Sequence, residues 1–248
     1  MRKLIVTRYP RSSSFFRGDP EIGSLFDRSD YAVVDEELLI DTLPLDEAAS
    51  RYKIDKAAFL KIDIEGAEHE VFRSAPKLLS GPLLGVRCEV SFFSIRPEQP
   101  LYPEIQTYLN DHGFLPMGFE ELHEWRRRTR IKHALLAPGP IPYSRGQIIH
   151  GDMVFLRHPE RMESSTEEGI EALLRAAFFA LLYDYVDHAA SILKRPAVKN
   201  YLTSIYKVDV DAELSQVTTA LFKIFRRRLW RNRPRGLVSS FRRRLRAN

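Results

Sequence analysis

Five side chains able to move a proton or hold a charged ligand fall in two short segments: Asp63, Glu65, Glu68 and His69 in FLKIDIEGAEHE, and Glu89 in LLGVRCEV. Ala58, Phe59, Leu60, Ile62 and Ile64 give the first segment an apolar character on both sides, the pattern of a central strand covered by helices on each face. Lys61 and Asp63 interrupt it near its carboxyl end. In open α/β sheets the ligand crevice lies outside the carboxyl ends of the strands. Asp63 and Glu65, two apart, point there together while the chain stays extended. Gly66 permits the sharp change of direction into a helix, and Glu68 falls in its first turn, where the helix dipole favours a negative charge. Glu89, near the end of the next strand, faces the same crevice. A cluster of carboxylates is mutually repulsive and needs a compensating reason, which favours a binding or catalytic role. The structural alternative is that these groups cap a strand-to-helix turn, with Glu68 a dipole partner and His69 an exposed helical histidine rather than a substrate contact.

The elements that must position these groups are read from periodicity. Lys3 to Thr7, Ala58 to Ile64, Leu84 to Val90 and Asp152 to Arg157 are rich in β-branched and aromatic residues and read as strands. Between them, Asp41 to Tyr52, Glu65 to Leu79 and Pro103 to His112 carry apolar residues at helical spacing, Pro44 starting the first and Gly113 stopping the last. Strands alternating with helices predict parallel pairing in a doubly wound α/β sheet. Phe119 to Gln147 breaks the rhythm, and Pro138, Pro140 and Pro142 mark it as a loop or excursion.

After Pro159 only helices are predicted: a long amphipathic one over Ile170 to Leu193, a shorter one near Ala197 to Tyr206, and a third near Ala212 to Trp230 with Asp211 as its cap. The chain therefore divides into an α/β domain over residues 1–160, a helical appendage over 161–230 and a basic tail over 231–248.

The net charge of +5 conceals a split. From Lys223 to Asn248 there are one lysine and ten arginines with no acidic residue; removing those 11 from 38 leaves 27 basic against 33 acidic side chains, about −6 over residues 1–222. Phe222, Phe225, Leu229 and Trp230, interleaved with arginine, suit an amphipathic helix on an anionic membrane surface. They would equally suit a polyanionic glycan or nucleic acid, although no recognised nucleic-acid module accompanies the charge, and a solvated end without a partner is the alternative.

The single cysteine, Cys88, lies in an apolar run and is expected to pack as a small hydrophobe in a reducing, cytoplasmic setting. Leu4 to Val6 is too short for a signal peptide's apolar core, and Ala176 to Leu182 falls far below the ~20 residues that cross a bilayer. The expectation is a cytoplasmic, soluble or membrane-peripheral protein. His112, His123, His133 and His150 are scattered without metal-ligand spacing, and no metal is expected.

Six landmarks in order, LIVTRYPRSSSFF, TLPLDE, FLKIDIEGAEHEVFRSA, GVRCEV, LNDHGF and GDMVFL, resemble the FkbM-type methyltransferases over roughly residues 3–157. The resemblance implies an S-adenosylmethionine-dependent enzyme with a Rossmann-like class I fold, transferring methyl to a hydroxyl of a sugar, glycan or secondary metabolite. It places Asp63 and Glu65 at the end of the fourth sheet strand beside the methyl donor, with Glu68 and Glu89 nearby. For the chemistry of methyl transfer, Asp63 or Glu65 is the candidate base, Asp63 also a cofactor contact, and Glu68, His69 and Glu89 the candidate substrate contacts.

The family's opening glycine-rich turn, which holds the cofactor's amino-acid end, is missing: the twelve glycines include no GxG triplet. The resemblance is thus to a partial sheet, from about the third strand onward, and the strand over Ala58 to Ile64 would lose cover at its edge. Three explanations are open: a truncated gene, a split enzyme whose first half is a separate chain, or Lys3 to Thr7 moving in to cover that edge. The function class of a different kind is a non-catalytic binding module anchored by its basic tail.

Overall fold

The computed structural model describes residues 1–128 and 145–231. The prolines at 138–142, His133 and all but the first residue of the predicted basic tail lie outside the described residues. Strands β1 (Arg2–Thr7) and β2 (Val34–Ile40) form a two-stranded antiparallel sheet of their own. Between them runs a short helix, α1 (Pro20–Phe26), capped by Asp19, whose carboxylate accepts from the amides of Glu21 and Ile22. The main sheet has four strands, β3 (Phe59–Ile62), β4 (Gly85–Ser91), β5 (Phe114–Trp125) and β6 (Gln147–Arg157), in the order β3-β4-β6-β5.

β3 and β4 are parallel, whereas β6 runs antiparallel to both its neighbours, so β5 runs in the direction of β3 and β4. The expected parallel sheet is therefore a mixed one. Of the three explanations left open for the β3 edge, cover by Lys3 to Thr7 is excluded: that segment pairs with β2, and among the described residues β3 pairs with β4 alone. The segment expected to leave the fold after Phe119 instead stays in the sheet to Trp125, paired against Gln147–Arg157. Register shifts at Pro116/Gly118, Phe119/Glu121 and His123/Glu124 absorb the irregular residues and erase the period-two signal.

Two helical layers sandwich the sheet. On one face, α2 (Leu45–Arg51), α3 (Glu68–Arg73), α4 (Pro76–Ser80) and α5 (Tyr102–Asp111) pack Ala49, Phe72, Leu79, Ile105 and Leu109 against Val86, Cys88, Val90, Met153 and Phe155. Cys88 is wholly buried there, as its surroundings predicted. The predicted helix over Glu65 to Leu79 starts later, at Glu68, and is broken by Pro76 into α3 and α4.

The other face is covered by α6 (Glu167–Leu182), α7 (Val186–Leu193) and α8 (Pro196–Tyr206), whose Leu173, Ala177, Ala180, Ile192 and Val198 pack on Leu84, Val154 and Leu156. Phe59 of β3 stacks on Tyr183, rings 5.5 Å apart and 15° from parallel, and meets Phe179 at 4.9 Å. The C-terminal helices are thus the second layer of the sandwich rather than an appendage beside it. The predicted single helix over Ile170 to Leu193 is two, because Asp184 takes a left-handed conformation (φ 63°) and Tyr185 N–H closes back on the Ala180 carbonyl at 2.8 Å.

The last helix, α9 (Val210–Arg231), buries Val210 and Leu214 and then leaves the body: Leu221, Phe222 and Ile224 are exposed. Among the described residues, no helix is long and apolar enough to cross a membrane.

Candidate active site

Alternation along the strands creates a polar row on one sheet face. In β4, Val86, Cys88 and Val90 enter the first core, which leaves Arg87 and Glu89 for the opposite face. Residues directly opposite one another on neighbouring strands share a face. Register places Lys61 beside Arg87, Glu89 beside Asp152, Glu121 beside Asp152 and His123 beside His150. All lie on the face that carries Phe59 and the C-terminal helices, but nearer the carboxyl ends of β3 and β4.

Two adjoining cavities open over this row, of about 820 and 460 Å³, sharing Tyr9, Glu65, Glu89, His123 and His150. The larger is also lined by Asp63, Glu121, Asp152 and the serine-rich stretch Ser13–Ser14; the smaller by Tyr31, Arg96 and Trp125.

The strand-to-helix turn is held by Glu68. Its carboxylate accepts the Ile64 amide at 2.8 Å and the Gly66 amide at 3.0 Å, and the side chain is 2 % exposed. Burial pushes its pKa up to about 7, against those two hydrogen bonds. Glu65 (φ 61°) and Gly66 (φ 108°) both lie in the left-handed region, which turns the chain so that the Glu65 carboxylate reaches the buried guanidinium of Arg96. The Ser14 hydroxyl donates to the Glu65 carbonyl at 2.6 Å and fixes the N-terminal segment over the turn.

Oxygens of Asp63, Glu65 and Glu89 converge within 4.8 Å of one another, three groups of the kind that can hold a cation. Glu65 is paired with the Arg96 guanidinium, and His150 Nδ1 lies 2.8 Å from Glu89 Oε2. Asp152 is paired with Arg87 at 2.6 Å, and Glu121 with His123 at 3.4 Å. Among the described residues, Asp63 has Lys61 alone as a charged partner, at 3.9 Å, and is the most open of the three. Burial raises the pKa values of Asp63 and Glu65, and Glu89 raises both further.

Of the residues singled out from sequence, Asp63, Glu65 and Glu89 meet in the crevice, while Glu68 and His69 do not line it. Glu68 lies beneath it as the turn's anchor, and His69 packs edge-on against Tyr108 at 5.3 Å on the first helical layer. Arg96, His123, His150 and Asp152 were not singled out as site residues. His150 and Asp152 are two apart at the start of a strand, a spacing that could have paired them on one face; Arg96 sits in a loop and gave no signal.

The acidic crevice lies outside the carboxyl ends of two parallel strands with helices on both sheet faces, the position at which α/β folds take up ligands. Residues 5–116 match the family model described as the methyltransferase FkbM domain. The matched span carries Asp63, Glu65, Glu89 and Arg96; it ends before His123, His150 and Asp152. No curated protein and no solved structure matches the chain.

Methyltransferases of this family use S-adenosylmethionine. Convergent carboxylates suit that cofactor's sulfonium and ammonium charges. The buried Arg96 Nη1, which has no hydrogen-bond partner among the described residues, suits a carboxylate or hydroxyl oxygen.

Proposed function

We propose that this chain is an S-adenosylmethionine-dependent O-methyltransferase whose acceptor is a hydroxyl of a sugar or secondary metabolite, with the sheet read as part of a Rossmann-like class I fold. The observation that carries the reading is the meeting of Asp63, Glu65 and Glu89, all within the matched span, at the carboxyl ends of β3 and β4. When bound, the cofactor supplies a methyl group already activated by its sulfonium. The protein therefore has to align the acceptor oxygen and accept its proton.

Asp63, the least committed carboxylate, faces the cofactor's positive charge and orients the acceptor. Glu65 holds its place through Arg96, and its partnership with that guanidinium makes it a weaker candidate for the base than the sequence suggested. Glu89 supports the acceptor side through His150. Tyr9 and Trp125, at the cavity walls, offer ring surface for an acceptor of ring form.

Among the described residues β3 pairs with β4 alone, which supports a two-chain version of the same reading, in which a separate polypeptide adds the next strand. Isothermal titration of the purified chain with S-adenosylmethionine tests the proposal. One-site binding is expected, and absence of heat, even after co-expression with neighbouring reading frames, leaves a non-catalytic module as the better description.

A further inference from the structure

We infer that His150, whose Nδ1 lies against Glu89, takes the proton of the acceptor hydroxyl at Nε2, with the Glu89 carboxylate balancing the charge of the imidazolium that forms. This rests on the methyltransferase reading and adds a residue outside the matched span. The geometry sets an imidazole against a carboxylate: Nδ1 lies 2.8 Å from Glu89 Oε2, a charge contact without the angle of a regular hydrogen bond, and Nε2 has no hydrogen-bond partner among the described residues. The ring lines both cavities.

Its orientation is fixed from two more sides. His123 stacks on it, centroids 4.5 Å apart and 22° from parallel, and Trp125 meets it edge-on at 6.3 Å. Of the crevice groups, Glu65 is tied to Arg96, Asp152 to Arg87 and His123 Nε2 to Glu121, which leaves His150 as the crevice imidazole whose Nε2 has no partner among the described residues.

The charged groups lining the cavities with the ring are Glu89 on β4, Asp63 and Glu65 beyond β3, Asp152 on β6, Glu121 and His123 on β5, Arg96 in the loop after β4, and Arg11, Asp27, Arg28 and Asp30 of the N-terminal segment. Burial disfavours the charged ring, but the contact with Glu89 and its charge outweigh it, so the pKa is raised above the ordinary histidine value.

In the step, the O–H bond of the acceptor breaks and its proton goes to Nε2. The oxygen's electron pair forms the new bond to the methyl carbon, and the C–S pair returns to sulfur, leaving a neutral thioether. The imidazolium then loses its proton to water.

The test uses the full chain labelled with ¹⁵N-histidine. Two-bond ¹H–¹⁵N spectra should show His150 as the Nδ1–H tautomer, with a titration midpoint above about 6.5 that drops in Glu89→Gln. In parallel, His150→Gln should keep S-adenosylmethionine binding by calorimetry and lose at least ~100-fold in S-adenosylhomocysteine release with a panel of methyl glycosides. An Nε2–H tautomer, a midpoint indifferent to Glu89→Gln, or turnover within about threefold of wild type in His150→Gln overturns the assignment. So does activity that EDTA abolishes and Mg²⁺ restores, which would give the carboxylates to a cation. Failure of the wild-type chain to bind S-adenosylmethionine sinks the underlying reading instead. The imidazole spectra need no acceptor and decide the dyad even where no glycoside reacts.

Discussion

At the residue scale, the turn between β3 and α3 depends on one buried carboxylate. Glu68 satisfies two backbone donors that would otherwise be buried without partners. Glu68→Ala should therefore cost about 2–4 kcal/mol in denaturant unfolding, since each orphaned donor carries a penalty of about 1–3 kcal/mol. Its raised pKa sets the sign of a pH effect. The folded state holds the Glu68 proton more tightly than the unfolded state, so this contribution is full below pH 4.5 and is lost as pH rises through about 7. Glu68→Gln should flatten that part of the stability profile, measured between pH 4.5 and 8; an unchanged slope would show that the carboxylate is not the titrating group.

Sequence reasoning placed Glu68 at a helix start but could not tell a dipole partner or substrate contact from a turn anchor, because that depends on burial. His69 read as a possible contact for the same reason: one residue along a helix reverses which side it serves. Arg96 was invisible, since an arginine in a loop becomes meaningful only when the fold brings it to Glu65 across 31 residues of sequence.

At the element scale, the site is a product of period-two alternation shared by neighbouring strands. β4 was legible because Val86, Cys88 and Val90 alternate cleanly with Arg87 and Glu89. β5 was only partly legible, since its three register shifts break the alternation, and with it went the signal for His123. The long C-terminal helix was over-read: Leu181, Leu182 and Tyr185 keep helical spacing while the chain itself turns at Asp184.

The packing of that second layer on the sheet can be tested at Gly85. A Cβ there would lie 2.6 Å from the Phe59 ring, which is itself stacked on Tyr183. Gly85→Ala should destabilise by about 1–3 kcal/mol, and Phe59→Ala should remove most of that increment in a double-mutant cycle. Additive effects would mean that Phe59 does not fill the space above β4.

At the scale of the whole molecule, the α/β class and the helical C-terminal region were legible from the order of patterns. The strand order was not. Nothing in the periodicity of residues 2–7 distinguishes a strand that joins β3 from one that pairs with β2; cross-strand partners decide it, and the Lys3–Glu37 ion pair at 2.8 Å is part of that choice. The layering of α6–α8 over the sheet was likewise hidden, because an apolar helical face declares burial without naming its partner.

Beyond Leu214, α9 presents Leu221, Phe222 and Ile224 beside Lys223 and Arg226, followed in sequence by nine further arginines and no acid. Deletion of residues 223–248 should abolish co-sedimentation with phosphatidylserine vesicles in low salt; unchanged sedimentation would remove the membrane reading of this end.

The central claim is that the carboxylate crevice at the ends of β3 and β4 is where methyl transfer occurs. Calorimetric titration of the full chain with S-adenosylmethionine, alongside Asp63→Asn, tests it most directly. The account predicts one binding site in the wild type, weakened about tenfold or more once the charge that faces the cofactor is removed. Binding that is absent from the wild type, or indifferent to Asp63→Asn, would contradict it.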